Sequence, residues 1–448
     1  FKTGSGSINL QAKGRISDWN SHPAWDVDIA NLNLTEGGIS FISHNLGKKI
    51  NVPQEVTRLG GIHYVGHLSG RGDRLSSKGR LETGAGNADI QLSKNGKNIQ
   101  AKIATKGIAL DRILANKTFG QVATTIEVKG NKDHLVAKGE ISRFDYNKYS
   151  FRNISLDGQY NHGIVKGLAS IDDPNIRVDI EGNYAMKGNK YAINTHIDHL
   201  QPSILGVKMA DKDYSLDDID LSANNQSSDS YLDLEAPFMS LHARGQYNLS
   251  TLVSSIQNMI AEKLPTLPGI KKMKAKGDND FTLQGNIYST EVLNKILGIP
   301  LAISSPIHIN GNISEQSNEL NLYLSAPLFS YNGKPFHNGN VELTTLANAL
   351  NLEARITQGM PYEKAPEIKL KAAAADNVLS TLLNYNNHSS KLPLSGLLNA
   401  DTRFSKNEQG QLTIQTSVKP SSLMLGDTQW DVKASTVEYH KNHLTVDN

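Results

Sequence analysis

The sequence contains no cysteine, few aromatic residues and no long apolar run, and each absence excludes a class of protein. Without cysteine among its 448 residues, the chain forms no disulfide and offers no thiolate to a metal ion. Aromatic residues make up 6% of the chain and hydrophobic residues 38%, which is lean for a thick globular core. The longest apolar run, near Ile296–Ile303, is interrupted by Gly298 and Pro300. It falls short of the roughly 18 residues that indicate a membrane-spanning helix.

An excess of charge of one sign is also missing. The 46 basic and 44 acidic residues leave a formal net charge of +2, with both signs interspersed. Nucleic-acid-binding proteins usually carry a concentrated basic patch, so we predict no nucleic-acid partner. The chain has neither a G-x-S-x-G elbow nor an H-E-x-x-H motif, and Gly4–Ser7 lacks the lysine of a phosphate-binding loop. We therefore predict that the protein is not an enzyme and needs no cofactor.

Two histidine pairs have spacings that resemble metal sites. His63 and His67 are four residues apart, and His196 and His199 are three apart. No cysteine or clustered carboxylate completes either set in the sequence, so we interpret these histidines as solvent-facing and predict no metal site. The tripeptide Arg71–Asp73 matches a known adhesion motif but is interpreted as an ordinary turn.

Alternation of apolar and polar residues is the main positive signal. In Pro306–Ala326, one face collects isoleucines, leucines and Gly311, while asparagines and His308 occupy the other. Because side chains alternate across a strand, this stretch predicts a hairpin with one apolar and one wet face. The same unit recurs along most of the chain. It predicts an all-β protein, an elongated curled antiparallel sheet with a few short accessory helices.

Glycine recurs in the apolar phase of these strands, in the form apolar-x-Gly-x-apolar. A glycine inside a strand usually marks a bend, a bulge or a close approach. We interpret seven such residues as bend points: Gly14, Gly139, Gly158, Gly182, Gly245, Gly285 and Gly311.

Helical spacing interrupts the strand pattern at four places. The clearest is 248–264, where an Asn248 or Ser250 cap precedes apolar residues three and four apart and Pro265 ends the helix. As a hypothesis, its apolar stripe caps or gates the apolar face of the sheet: Leu249, Leu252, Val253, Ile256 and Ile260. Shorter helices are predicted at 109–116, 290–297 and 376–383. The chain then divides into a β-groove segment at 1–247, a helical insertion with a linking strand at 248–298, and a continuing β-groove segment at 299–448.

Several stretches resemble the TamB/AsmA-like family of Gram-negative envelope proteins, in a form similar to Bacteroidetes-type sequences. They are the repeated x-G-x-I strands and four segments: Arg80–Leu92, Asp172–Met186, Ala192–Val207 and Ser325–Leu343. The resemblance implies a β-taco, a folded β-groove whose apolar concave face holds phospholipid acyl chains. It also implies a periplasmic protein anchored in the inner membrane through a missing N-terminal segment. Its expected partner is an outer-membrane barrel of the TamA/BamA type, reached through regions absent here.

The residues alone support a lipid-binding face as well. Acyl chains need a continuous apolar surface without specific polar partners, and association then follows buried area. We predict that the inward-phase residues of the clearest strands line this groove: Ile176, Val178, Ile180, Ile307, Ile309, Ile313, Leu320, Leu322 and Leu324. The function expected is phospholipid binding and transport in outer-membrane biogenesis. The alternative is a structural or adhesive surface protein, a β-sandwich or solenoid whose apolar faces close on each other.

Overall fold

The computed structural model is all-β and confirms the predicted fold class. It describes residues 7–18, 23–38, 54–226, 229–273, 277, 279–361, 364–406, 410–440 and 443–447. About 65% of the residues are in strands and 9% in helices, and the 30 strands belong to one antiparallel sheet that does not close. No helix in the described residues is long and apolar enough to cross a bilayer.

The chain forms two compact units. Unit 1 comprises Phe1–Lys208 and Asp213–Asp218, and unit 2 comprises Met209–Lys212 and Ile219–Asn448. The division passes through a strand, Leu216–Asn224. Residues 219–247 lie in the same unit as 248–448.

Unit 1 is a run of antiparallel strands with brief helical turns at the strand ends. Its helices are α1 (Gln54–Thr57) and α2 (Leu110–Leu114), and a 3-10 turn covers Pro202–Leu205. Helix α2 confirms the prediction at 109–116. Its strands are β1 (Ile8–Ser17), β2 (Ala24–Leu34), β3 (Ile62–Arg71), β4 (Arg74–Thr83), β5 (Gly86–Asn95), β6 (Asn98–Ala109), β7 (Phe119–Gly130), β8 (His134–Tyr146), β9 (Tyr149–Phe151), β10 (Ile154–Asn161), β11 (Ile164–Asp173), β12 (Ile176–Ala185) and β13 (Lys190–Leu200).

Unit 2 repeats this organisation with two longer helices, both of them predicted. They are α3 (Leu249–Lys263), capped by the Asn248 side chain, and α4 (Glu291–Leu297). Its strands are β14 (Leu216–Asn224), β15 (Tyr231–Ala236), β16 (Met239–Gln246), β17 (Asp280–Ile287), β18 (Leu301–Ile303), β19 (Ile307–Ser314), β20 (Glu319–Tyr331), β21 (Lys334–Leu346), β22 (Ala349–Gln358), β23 (Glu367–Ala375), β24 (Val378–Asn386), β25 (Leu394–Lys406), β26 (Leu412–Val418), β27 (Ser421–Leu425), β28 (Thr428–Val432), β29 (Ser435–His440) and β30 (His443–Asp447).

The helix predicted at 376–383 is wrong. Asp376 and Asn377 form a turn with positive φ, and strand β24 begins at Val378. Short apolar runs fit either periodicity, and here strand pairing decides. Leu379 pairs with Ala374 on one neighbouring strand and with Thr402 on the other. Leu383 likewise pairs with Leu370 and with Leu398.

Candidate functional site: an apolar face in each unit

In unit 1, the strand register aligns apolar residues into continuous rows. Each row runs across the strands from β1 to β13, so every member lies opposite its neighbours in adjacent strands. The first is Ala12, Ile29, Gly66, Gly79, Ile90, Ile103, Ile126, Gly139, Leu156, Ala169, Ile180 and Thr195. The second is Gly14, Val27, Leu68, Ser77, Leu92, Ala101, Val128, Ala137, Gly158, Gly167, Gly182 and Ile193. At about 4.8 Å per strand, each spans roughly 50 Å along the sheet.

Unit 2 carries the same arrangement. One row is entirely apolar: Leu221, Leu234, Leu241, Gly285, Ile309, Leu324, Val341, Ala354, Leu370, Leu383 and Leu398. The next contains one polar residue, Thr381: Ala223, Leu232, Ala243, Leu283, Gly311, Leu322, Leu343, Leu352, Ala372, Thr381, Ala400 and Val418. None of the four rows contains a charged residue. We call the side of the sheet on which these rows lie, in each unit, its apolar face.

The predicted lining residues of unit 1 divide between covered and open positions. Ile176 and Val178 are buried in a core cluster with Phe151 and Ile154, against which Ile204 of the 3-10 turn packs. Ile180, two residues further along the same strand, is 36% exposed. The open part continues across the sheet, because Ile103 and Leu156 of the same row are 41% and 38% exposed.

The predicted lining residues of unit 2 all fall on its apolar face. Ile307 and Leu320, near strand ends, are buried. The positions between them are half-buried: Ile309, Ile313, Leu322 and Leu324. In both units, therefore, apolar surface is accessible at mid-strand positions such as Ile180 and Ile309, while Ile176, Ile307 and Leu320, each near one end of its strand, are covered.

Six of the seven predicted bend glycines lie where the neighbouring strand comes unusually close. A Cβ atom at Gly14 or Gly245 would stand 2.3 Å from a backbone oxygen of that strand, and at Gly311 2.5 Å. At Gly182 and Gly285 the distances are 2.8 Å and 2.7 Å, and a Cβ at Gly139 would stand 2.7 Å from Ile126 Cγ1. Gly158 differs, because its nearest neighbour would be 3.7 Å away. Any other residue at the six close positions would push adjacent strands apart on the apolar face.

Two further glycines on the apolar face, beyond the seven predicted, approach the neighbouring strand closely. Gly66 and Gly167 also fit the apolar-x-Gly-x-apolar form and belong to the same rows. A Cβ atom there would stand 2.5 Å and 2.7 Å from a backbone oxygen of the next strand. The signal that identified the other seven residues would have found these two.

The opposite face of the sheet is held together by polar cross-strand pairs. In unit 1, Lys102 Nζ lies 2.8 Å from Glu127 Oε1, and Arg177 Nε lies 2.5 Å from Asp198 Oδ2. The hydrogen bond from Lys102 lowers the pKa of Glu127, and that from Arg177 lowers the pKa of Asp198. In unit 2, Lys371 pairs with Glu353 at 2.7 Å. These exposed pairs favour the strand register but stabilise the fold only modestly.

A depression of about 450 Å3 in unit 2 belongs to the polar face. It is lined by three-residue segments centred on Ile309, Leu324, Val341, Ala354 and Leu370. In each segment the two flanking side chains point away from the apolar face, because alternate residues of a strand face opposite ways. Its walls therefore carry charges of both signs, including Glu353, Arg355 and Lys371, and it is not part of the apolar face.

Helix α3 lies along a row of hairpin turns at one edge of unit 2. Three turn asparagines with positive φ contact its C-terminal half: Asn318, Asn348 and Asn377. Asn318 Nδ2 donates to Glu262 Oε1 at 2.6 Å, and Lys263 Nζ donates to Asn348 Oδ1 at 2.7 Å. The backbone N–H of Asn377 donates to the backbone oxygen of Lys263 at 2.9 Å. Asparagine tolerates this left-handed conformation, so each turn offers its side chain or amide to the helix.

The N-terminal end of α3 is held by one fully buried side chain. Asn279 is 0% exposed, and its Oδ1 accepts a hydrogen bond from the Asn248 amide at 2.7 Å. Its Nδ2 donates to Ser255 Oγ at 3.1 Å and Glu315 Oε1 at 3.1 Å. Asn279 thereby joins the helix to the start of β17 and to the β19–β20 turn.

The predicted apolar stripe of α3 needs correction. Leu249 and Val253 are exposed, at 57% and 68%, while Leu252, Ile256 and Ile260 are half-buried. The buried helix residues are Ser255, Met259, Ala261 and Lys263. The helix faces polar hairpin turns, and its inner side combines small and hydrogen-bonding side chains with one apolar residue, Met259. An apolar contact with the sheet follows just after its end, where Leu264 packs with Ala374 and Phe404.

The paired histidines lie beside carboxylates of neighbouring strands. His67 Nδ1 is 2.8 Å from Asp28 Oδ1 and its Nε2 is 3.4 Å from Asp26 Oδ2. These contacts, the hydrogen bond with Asp28 first, raise the pKa of His67. His63 Nδ1 lies 3.2 Å from Glu82 Oε2, and His199 Nδ1 lies 2.6 Å from Asp217 Oδ1. These are surface contacts between strands, and each is an ion pair only while its histidine is protonated.

Comparisons with known proteins identify no relative. No family model, no curated protein and no solved structure matches this chain.

Proposed function

We propose that the apolar face of each unit binds the acyl chains of phospholipids or similar amphiphiles. The observation that carries this proposal is the set of uncharged rows, each crossing eleven or twelve strands and partly open along its middle. Such a surface is long in the hydrogen-bonding direction and only a few residues wide, which suits an extended hydrocarbon chain.

The chemistry of the rows favours lipid over a ligand with polar groups. Burying a methylene group contributes about 0.8 kcal/mol, so an acyl chain gains free energy from length without any specific partner. The attraction is non-directional, and a chain displaced along the row exchanges one set of aliphatic contacts for an equivalent set. Because the two central rows of each unit consist of aliphatic, small and glycine residues, no aromatic pocket there holds the chain at one place.

The biological setting proposed is transport across a Gram-negative envelope. It rests on the resemblance of Arg80–Leu92, Asp172–Met186, Ala192–Val207 and Ser325–Leu343 to the TamB/AsmA-like family. In this proposal the protein is a periplasmic, bridge-like phospholipid carrier for outer-membrane biogenesis, anchored in the inner membrane. Its partner is an outer-membrane barrel protein of the TamA/BamA type.

Co-purified lipid provides the direct test. The chain is purified from cells without detergent and extracted with organic solvent, and the extract is analysed by mass spectrometry. We expect phospholipid in a stoichiometric amount, and none from a soluble protein of similar size purified in parallel. A lipid-free chain with full thermal stability would refute the proposal and favour the structural or adhesive alternative, in which the apolar faces close on each other.

A further inference from the structure

One edge of the unit 1 sheet, which we call the cationic edge, collects basic residues. It consists of the hairpin turns β3–β4, β5–β6, β7–β8, β10–β11 and β12–β13, which lie at the same ends of consecutive strands. From Arg71 to Lys190, these turns and their flanking residues contain two acidic residues, Asp73 and Asp133, and the described part of the β1–β2 turn at the same edge adds Asp18. Over the same range they contain seven basic residues: Arg71, Arg74, Lys94, Lys97, Lys132, Lys187 and Lys190.

The opposite edge of unit 1 shows no such excess. Its described turns at 35–38, 54–61, 83–86, 110–118, 147–153 and 172–175 contain five acidic residues: Glu36, Glu55, Asp111, Asp172 and Asp173. They contain five basic residues: Arg58, Arg112, Lys117, Lys148 and Arg152. Arg112 is used internally, since its guanidinium donates to the backbone oxygens of Arg58 and Gly84. The asymmetry between the edges is therefore a property of the turns and not of the whole unit.

Several cations of the cationic edge have no carboxylate partner, unlike cations on the polar face of unit 1. On the polar face, Lys102, Lys138 and Arg177 each contact a carboxylate on the next strand. Of the edge cations, Arg71 pairs with Asp18 at 3.2 Å, and Lys94 Nζ donates to the Asp73 carbonyl. Within the described part of the chain, four form no ion pair: Arg74, Lys97, Lys132 and Lys187. Their charge is available to an external anion.

Aromatic residues occupy the apolar-face row next to the cationic edge. This row is Ile16, Trp25, Gly70, Leu75, Lys94, Ile99, Gly130, Leu135, Tyr160, Val165, Tyr184 and Tyr191. The central rows contain no aromatic residue, whereas this one contains Trp25 and three tyrosines. Tyr184 Oη donates to Asn189 Oδ1 at 2.8 Å, so its ring lies on the apolar side and its hydroxyl in the turn. Tyrosine and tryptophan favour such boundaries between hydrocarbon and water.

We propose that the cationic edge holds the phosphate groups of phospholipids whose acyl chains lie on the apolar face of unit 1. Across that face the order is hydrocarbon rows, amphipathic rings, then unpaired cations, which is the order of a phospholipid from chain to headgroup. Lysine and arginine form charge-assisted hydrogen bonds with phosphate oxygens. This inference rests on the proposed function and adds which edge faces the headgroup and what charge it prefers.

The test compares two lipids with the same acyl chains, a phosphatidic acid and the corresponding diacylglycerol. Each is supplied as a fluorescent tracer to the full chain. The edge variant carries R74Q, K97Q, K132Q and K187Q, and the matched control carries four neutralisations elsewhere in unit 1: K106Q, K117Q, K148Q and R152Q. We expect the edge variant to weaken phosphatidic acid binding about tenfold, as four exposed charge contacts would, and to leave diacylglycerol binding unchanged. The control variant should bind both lipids as the unmodified chain does.

Different failures have different meanings. Equal loss of phosphatidic acid in both four-residue variants would overturn the proposal, because net charge alone would then explain it. The same variants are also tested for binding to phosphatidylglycerol vesicles. If the edge variant loses vesicle binding but binds both tracers as the unmodified chain does, the proposal is overturned and the edge docks on a bilayer. Competition by inorganic phosphate without any requirement for acyl chains would indicate a free-anion site instead. If the unmodified chain binds neither lipid, the proposed function itself fails.

Discussion

Glycine at single positions controls how closely two strands approach on the apolar face. Gly158 and Gly182 illustrate this, because both lie in one row of unit 1, separated only by Gly167. A Cβ atom at Gly182 would stand 2.8 Å from the Ala192 carbonyl oxygen, whereas one at Gly158 would be 3.7 Å from its nearest neighbour. Neither residue has a positive φ, so contact with the neighbouring strand, and not backbone conformation, distinguishes the two.

We therefore expect G182A and G158A to have opposite effects on stability. G182A should lower the free energy of unfolding by about 1–3 kcal/mol, because overpacking forces the strands apart. G158A should be neutral or stabilising by about 0.4–1 kcal/mol, because alanine restricts the unfolded chain. Urea unfolding of the two variants, followed by circular dichroism, measures both effects. Equal destabilisation would show that the 2.8 Å contact does not control packing there.

Among the elements, helix α3 shows how a helix can be attached to a sheet mainly through polar groups. Asn279, Asn318, Asn348 and Asn377 connect it to the start of β17 and to three hairpin turns. A strand end leaves backbone groups without a ladder partner, and a helix crossing several such ends must satisfy them with hydrogen bonds. The buried face of α3 consequently contains Ser255 and Lys263.

Substituting Asn279 should loosen this helix. N279A removes the acceptor of the Asn248 amide and leaves buried polar groups unpaired, which costs about 1–3 kcal/mol. We expect faster hydrogen exchange in 249–263 and, because a loosened helix also loosens the cover that Leu264 forms over Ala374 and Phe404, greater retention of lipid. The matched control is N258A, since Asn258 lies on the same helix and its side chain bonds the Met273 backbone near solvent. Unchanged exchange in N279A would show that Asn279 does not hold the helix.

At the scale of the whole molecule, the described strands of both units share one arrangement, in which many weak apolar contacts follow rows across the strands. Ile309 has Gly285 and Leu324 as cross-strand neighbours, and each of these has further apolar neighbours. Shortening one side chain removes only a small part of such a surface. Under the proposed function, a charge placed within it would have a larger effect, because an acyl chain offers no partner to offset the loss of hydration.

Charge on the apolar face should therefore reduce lipid binding more than any apolar truncation. We expect I309D or L322K to lower the co-purified phospholipid several-fold and I309A to change it little. N310D, on the adjacent residue and the opposite face, supplies a matched negative charge that should have no effect. The readout is lipid phosphorus per protein, measured on variants with native circular dichroism. Equal loss in I309D and N310D would contradict the assignment of faces.

Much of the fold was predictable because strand alternation is a local property. Residues two apart share a face whatever follows, so Ile307 and Ile309 could be placed together from the sequence, as could Ile176 and Ile180. The helix at 248–264 was predictable for the same reason, from its cap and spacing. The segment 376–383 was not, since its leucines satisfy both periods and only pairing with β23 and β25 makes it a strand.

Register and coverage depend on residues far apart in the chain, and these only the tertiary structure decides. No local pattern states that Ile176 and Val178 are buried with Phe151 and Ile154 while Ile180 stays open. Nor does a local pattern indicate that α3 packs on hairpin turns by hydrogen bonds to their asparagines, which leaves Val253 exposed to solvent. The sequence thus determines that each strand has an apolar face, because covalent geometry alternates the side chains. The structure decides which parts of that face remain accessible, because access depends on what other segments cover.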